Sequence, residues 1–269
     1  SLHFDVMDGL PVYLDEKEYS KYMGQPLNTV PSPDGKAKNF AEYFAAEFME
    51  VIEKSGFKPE YYRASELYKS GKMNDAIADI LNHAEDIREI YKKISGSIKP
   101  DDWLPLSVIC EGCGKIGTTK TISFDGKEVE YVCTKDYVKW AQGCGHKGKV
   151  SPFDGNAKLP WKVEWPAKFK VLEVDIEGSG KDHSTKGGSR DIANHISKEI
   201  LGHKPPFDIP YEFFLVDGRK MSSSKGEGSS AKEISDLLSP ELFRLALIGK
   251  DYKQAISFEP DGDTIPILY

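Results

Sequence analysis

At 269 residues, with 39% hydrophobic and 11% aromatic side chains, the chain can hold one large domain or two smaller ones, and a disordered polymer is excluded. A net charge of −7 excludes a protein held to nucleic acid by bulk charge, so any RNA must meet a local basic face or parts outside this sequence. No apolar run is long enough to span a membrane, and four cysteines at this length exclude a secreted disulfide scaffold. The first residues show neither a leader nor an initiator Met, so the chain is expected to start inside a longer protein.

Residues 1–35 carry Asp5 and Asp8, then Pro11, Pro26, Pro31 and Pro33, which argue against long elements. Residues 39–55 predict an amphipathic helix, with Phe40, Phe44, Phe48 and Ile52 as a core stripe, Asn39 as cap and Gly56 as stop. A short helix over 64–69 and a third helix from Asn74 to Ile94 follow; His83 within it has no evident partner. Residues 95–102 read as a boundary. Thr121–Phe124 and Val129–Cys133, around Asp125-Gly126, predict a β-hairpin. Trp161–Pro166 and Phe169–Ile176 read as strand-rich, residues 178–183 as a loop, and 191–201 as a helix. Tyr211–Val216 predicts a buried strand, Ser230 to Leu238 a capped helix, and Ser239-Pro240 the start of another.

Two stretches carry chemistry. Cys110-x-x-Cys113 can bite one metal ion, and Cys133 with Cys144, or with His146 as the alternative fourth ligand, can close a tetrahedron across the hairpin. This predicts a structural zinc site that folds a small insert; a catalytic metal is disfavoured because no general base sits among the ligands. Gly218–Gly226 contains Lys220-Met221-Ser222-Ser223-Ser224-Lys225 between a strand end and a helix start, where nucleotides bind in open α/β sheets. Its small residues allow phosphates to come close, and its lysines supply charge. Gly180-Lys181-Asp182-His183, with Gly187-Gly188-Ser189, forms a second such turn. Asp182 can accept from a ribose hydroxyl or hold an ammonium, and His183 can bond a phosphate or carboxylate oxygen.

Lys220-Met-Ser-x-Ser resembles the second signature of class I aminoacyl-tRNA synthetases, in the variant of the lysyl enzymes. Lys158-Leu-Pro-Trp-Lys-Val-Glu-Trp-Pro166 resembles that family's Lys-Leu-x-Trp-x-Val-Asp-Trp-Pro, and Gly180–His183, Gly187–Ser189 and Tyr211-Glu212 match it in order and spacing. Gly24-Gln-Pro-Leu27, Pro31-Ser-Pro33 and Glu66–Gly71 extend the resemblance over nearly the whole chain. Lys168-Phe169 stands where the family has Arg and Trp, and Pro11-Val12 where it has Arg-Lys.

The resemblance implies an α/β fold: a partial Rossmann-like class I synthetase catalytic domain with a helical segment and a zinc-ribbon-like β insert. Its expected parts are a helical region over 1–100, the insert over 101–156, the second half of the nucleotide fold over 157–238, and the start of a helical domain over 239–269. It implies lysyl-adenylate formation from lysine and ATP with Mg2+, then transfer to tRNA(Lys), by a cytoplasmic and monomeric protein. Lys220 and Lys225 are then the catalytic cations that neutralise pyrophosphate. Gly180, Lys181, Asp182, His183, Gly188, Ser189, Met221, Ser222 and Ser224 are then ATP contacts, and Trp165, Asp182 and Tyr211 the lysine contacts. The family's first signature, His-Ile-Gly-His or similar, is expected upstream of Ser1 and its anticodon-binding domain after Tyr269, which makes this stretch inactive alone. A synthetase-like accessory module without aminoacylation activity and another α/β nucleotidyltransferase remain as alternatives.

Overall fold

The computed structural model describes residues 2–216, 218–220, 231–259 and 262. The proline-rich opening forms only short pieces: 3-10 turns and helix α1, Glu16–Tyr19, capped by the Asp15 side chain on the Lys17 N–H. Helix α2, Phe40–Lys54, begins where the Asn39 side chain accepts from the Glu42 N–H. Phe40 and Val51 are buried, but Phe48 is 59% exposed, so the expected core stripe turns outward at its middle.

Helix α3 spans Ala64–Lys69. The long third helix is in fact two, α4 at Asn74–Asn82 and α5 at Ala84–Ser95, broken where His83 leaves helical geometry at φ −112° and ψ 29°. Asn74 does not cap α4; Met73 precedes it, and the Asn74 amide donates to Asp154 instead. Gly96 closes α5 at φ +69°, a left-handed position that favours glycine.

Strand β1, Ser107–Val108, leads to the hairpin strands β2, Thr119–Phe124, and β3, Val129–Cys133. The Asp125 carboxylate accepts from the Lys127 and Glu128 N–H groups and shapes the turn. Strand β4, Lys147–Val150, adds a third antiparallel member beyond the expected hairpin. Strand β5, Ala157–Lys158, pairs antiparallel with β1 and closes this region at its base. Val129, Tyr131 and Cys133 share one buried cluster with Ile77, Ile80 and Ile87 of α4 and α5, so the β region packs into the main core.

Residues 161–171 form helix α6, Trp161–Val171, not the expected strand-rich segment. Val163, Pro166, Ala167 and Phe169 bury one face at helical spacing, and this packing overrides the β preference of Trp and Val. Pro166 removes only its own bond to the Lys162 carbonyl. Strand β6, Ile176–Gly180, then includes Gly178 and Gly180, and the turn begins only at Lys181. Helix α7, Ser189–His195, passes into a π turn over Ile196–Ile200.

The expected single strand over 211–216 is broken. Strand β7, Phe207–Tyr211, pairs in parallel with β6, whereas β8, Phe214–Val216, pairs in parallel with β10, Ile256–Phe258. The chain changes partner at Glu212, whose N–H donates to the Tyr252 carbonyl. Strand β9, Arg219–Lys220, folds back on β8, with Leu215 opposite Lys220. Helices α8, Ala231–Leu237, and α9, Pro240–Ile248, follow. The Ser239 side chain caps α9 as expected, while Ser230 lies outside the described residues. Val51, Ile234, Leu238, Phe243 and Phe258 form a second core that joins these elements to α2.

Candidate functional site

Parallel pairing aligns the carboxyl ends of β6 and β7, with Gly180 opposite Tyr211. This edge of a parallel pair is where α/β proteins bind nucleotides. The turn that follows β6 is tightly built. The His183 N–H donates to the Gly180 carbonyl at 2.9 Å, and the Lys181 N–H donates to the Tyr211 carbonyl at 2.9 Å. A Cβ on Gly188 would lie 2.6 Å from the His183 carbonyl oxygen, so only glycine closes this turn without displacing it. The Ser189 side chain is buried at the start of α7.

The structure thus brings Gly180, Lys181, Asp182, His183, Gly188, Ser189 and Tyr211 to one edge. The Lys181 ammonium is engaged by Glu212 at 2.7 Å and lies 5.3 Å from the Phe213 ring centre. Tyr211 is half exposed, not buried. The backbone of Lys220 ends β9; Met221, Ser222, Ser224 and Lys225 lie outside the described residues.

Helix α6 presents an aromatic cluster to the same turn. Trp161 and Trp165, one helical turn apart, stack with ring centres 5.5 Å apart, and the His183 ring lies 5.3 Å from Trp161 and 6.0 Å from Trp165. Trp165 is heavily engaged. Its Nε1–H donates to Glu177, the Arg190 guanidinium lies 5.5 Å from its ring centre, and Phe169 packs against it. Trp161 is 40% exposed and borders a cavity of about 450 Å³ that Asp5, Asp8 and Lys158 also line. Sequence reasoning singled out Trp165 and passed over Trp161, Arg190 and Glu177. Read as a helix, the i, i+4 spacing would have pointed to the tryptophan pair, whereas nothing in the sequence marks Arg190.

On the buried face of α6 the Glu164 carboxylate is 1% exposed and meets Lys158 at 3.3 Å, Lys168 at 2.7 Å and the Tyr68 hydroxyl at 3.0 Å. Burial opposes its charge, but the two ammonium groups outweigh burial and hold its carboxyl below the usual carboxylate range. Lys158 also reaches Asp5 at 3.0 Å, which ties the N-terminal segment to the start of α6.

A separate cluster sits at the base of the β2–β4 sheet. The sulfurs of Cys110, Cys113, Cys133 and Cys144 all lie within 4.8 Å of one another, with Cys110 and Cys144 3.6 Å apart and Cys113 and Cys133 3.7 Å apart. The chain turns that align them are fixed by backbone bonds, from the Gly114 N–H to the Cys110 carbonyl and from the Gly145 N–H to the Cys133 carbonyl. Burial pushes the Cys110 thiol up to about 12, while the His146 backbone N–H holds the exposed Cys144 thiol down to about 7. The His146 ring is not part of the four-sulfur group; it lies against Tyr131, with its Nε2 4.0 Å from a Glu111 oxygen.

Among the described residues no helix is long and apolar enough to cross a membrane. A lysine–tRNA ligase of Methanosarcina acetivorans is 38% identical over 261 residues, which are 96% of this chain and 47% of that protein. The lysine–tRNA ligase of Methanocaldococcus jannaschii is 38% identical over 249 residues, 90% of this chain and 45% of that one. The chain therefore spans about half the length of the curated relatives it matches. The arginyl-tRNA synthetase structure of Thermus thermophilus overlaps at TM-score 0.33 and 12% identity, over 81% of this chain and 42% of that one, too slight a likeness to bear on the fold. The family model described as tRNA synthetases class I (K) matches residues 1–269, and the chain belongs to that family.

Proposed function

We propose that this chain supplies part of the active site of a lysine–tRNA ligase, which joins lysine to ATP as lysyl-adenylate and passes the lysyl group to tRNA(Lys). The observation that carries this reading is the meeting of the His183 turn, Tyr211 and the tryptophan pair at the carboxyl edge of β6 and β7, in a chain whose relatives have that activity. The lysine carboxylate attacks the α-phosphate of ATP in line with the departing pyrophosphate, so catalysis is positioning and charge stabilisation. Asp182 and His183 face the nucleotide and the reacting carboxylate, the Gly188 turn shapes the ribose side, and Lys220 and Lys225 neutralise the pyrophosphate. Mg2+ arriving with ATP supplies further positive charge to the phosphates.

For the amino acid, Trp161 is a better aromatic seat than Trp165. Trp165 has its Nε1 and ring already engaged, and a second cation on it would stand within about 8 Å of Arg190, a repulsion of about 2 kcal/mol at an effective dielectric of 20. Trp161 offers exposed ring surface beside His183.

The four cysteines suit a structural zinc. Tetrahedral Zn–S bonds of about 2.3 Å put sulfurs about 3.8 Å apart, close to the two short separations here. The fourth ligand is then Cys144 in preference to His146. On this reading residues 101–156 are a zinc-ribbon-like insert in a Rossmann-like catalytic region.

The test is exchange of labelled pyrophosphate into ATP by the native-length protein. Lysine should support exchange, and Trp161→Ala should raise the lysine KM roughly ten-fold with little change in kcat. Exchange with a different amino acid and none with lysine would sink the substrate assignment.

A further inference from the structure

Among the described residues Arg190 is the largest side chain withdrawn from solvent, at 2% exposure. A guanidinium keeps its charge in a protein, so burying it is costly unless its donors are met. Here they are met poorly. Nη2 donates to the Pro206 carbonyl at 2.9 Å, but Nε and Nη1 have no hydrogen-bond partner. The nearest carboxylate, Asp208, is 3.9 Å from Nε and already accepts from the Ser179 hydroxyl. What the guanidinium does have is aromatic rings, with Phe169 centred 4.8 Å away and Trp165 5.5 Å away. An apolar side chain of similar length would fill this volume without the desolvation cost, so the charge must do something that packing cannot.

We propose that Arg190 is a positioning residue of the amino-acid subsite, holding Trp165 from within so that Trp161 and His183 are presented in one orientation. This rests on the reading of the Trp161 face as the lysine seat. The same residue acts at two points: its side chain lies against Trp165, the inner indole of the stacked pair, and its backbone N–H donates to the His183 carbonyl at 2.9 Å, fixing the neighbouring turn. A flat cation against Trp165 also makes that ring a poor seat for a second cation and leaves Trp161 as the available one.

Arg190→Met and Arg190→Lys test this in the native-length protein through three readouts: the melting midpoint, the exciton-coupled circular dichroism of the stacked indoles, and the affinity for L-lysine. The methionine variant should melt at or above the wild-type midpoint, because an under-paired buried charge is gone. Its indole band should nonetheless weaken, and lysine should bind roughly ten-fold less tightly. The lysine variant keeps the charge without the planar fork and should fall between the two. A methionine variant with unchanged band and affinity would overturn the proposal, and so would a parallel loss of stability, band and affinity, which marks plain packing. Should the methionine variant not fold, the lysine variant decides alone: a weakened band supports the proposal and an unchanged band overturns it. If the wild-type native-length protein binds no lysine, the seat at Trp161 is wrong, while the band and midpoint still decide whether Arg190 sets the indole pair.

Discussion

Glu164 sits on the buried face of the helix that carries the tryptophans, and its charge state links stability to the site. Lys158, Lys168 and the Tyr68 hydroxyl keep the buried carboxylate ionised. Its folded pKa lies below the unfolded value, so the stabilisation is present above the unfolded carboxylate range and is lost as pH falls through the folded value. Glu164→Gln should therefore cost about 3 kcal/mol at neutral pH by urea titration, because two ammonium groups lose their shared partner. The gap to wild type should narrow below about pH 4; a gap that stays constant with pH would show that the charge is not what matters. At this scale the sequence was legible where a residue acts through its neighbours in the chain. Asn39 and Ser239 cap the helices they precede, and the spacing of the cysteines foretold their meeting. Trp161 and Arg190 were missed because their roles depend on tertiary partners, the His183 ring and the Trp165 ring, that no local pattern encodes.

Among the elements, the β2–β4 sheet makes the sharpest claim. Its strands share a buried cluster with α4 and α5, so a metal at the four sulfurs should stabilise more than its own loops. The chain should carry about one zinc, and removing it with a chelator should lower the unfolding midpoint of the whole core as one transition. Cys133→Ser should reproduce this, whereas His146→Ala should retain the metal. Loss of zinc from the histidine variant would restore His146 as a ligand. Element type was hardest to read at α6, where Trp161, Val163, Trp165 and Pro166 all favour a strand or a break by local preference. Burial of Val163, Ala167 and Phe169 at helical spacing decided otherwise. The single strand expected over 211–216 failed for a related reason. The run is apolar and aromatic but for Glu212, and the change of sheet there shows only in tertiary partners: β7 pairs with β6, β8 pairs with β10, and the Glu212 N–H donates to Tyr252 between them.

At the scale of the molecule, the described residues place one of the two turns expected to hold ATP, at 180–183, and the strand β9 from which the second departs. Lys181 reaches Glu212 and Phe213, two residues before β8, so the first turn lies against the segment that leads into the Lys220–Lys225 stretch. The family resemblance was legible because its motifs are short and ordered along the chain. How the turns meet in space was not, because that depends on parallel pairing between strands far apart in sequence. Photolabelling of the native-length protein with 8-azido-ATP, followed by peptide mapping, tests that meeting directly. Both the segment around Lys181–Ser189 and the segment around Gly218–Gly226 should be labelled, and excess ATP should protect both together. Label confined to one segment, or protection of one without the other, would contradict a shared nucleotide crevice.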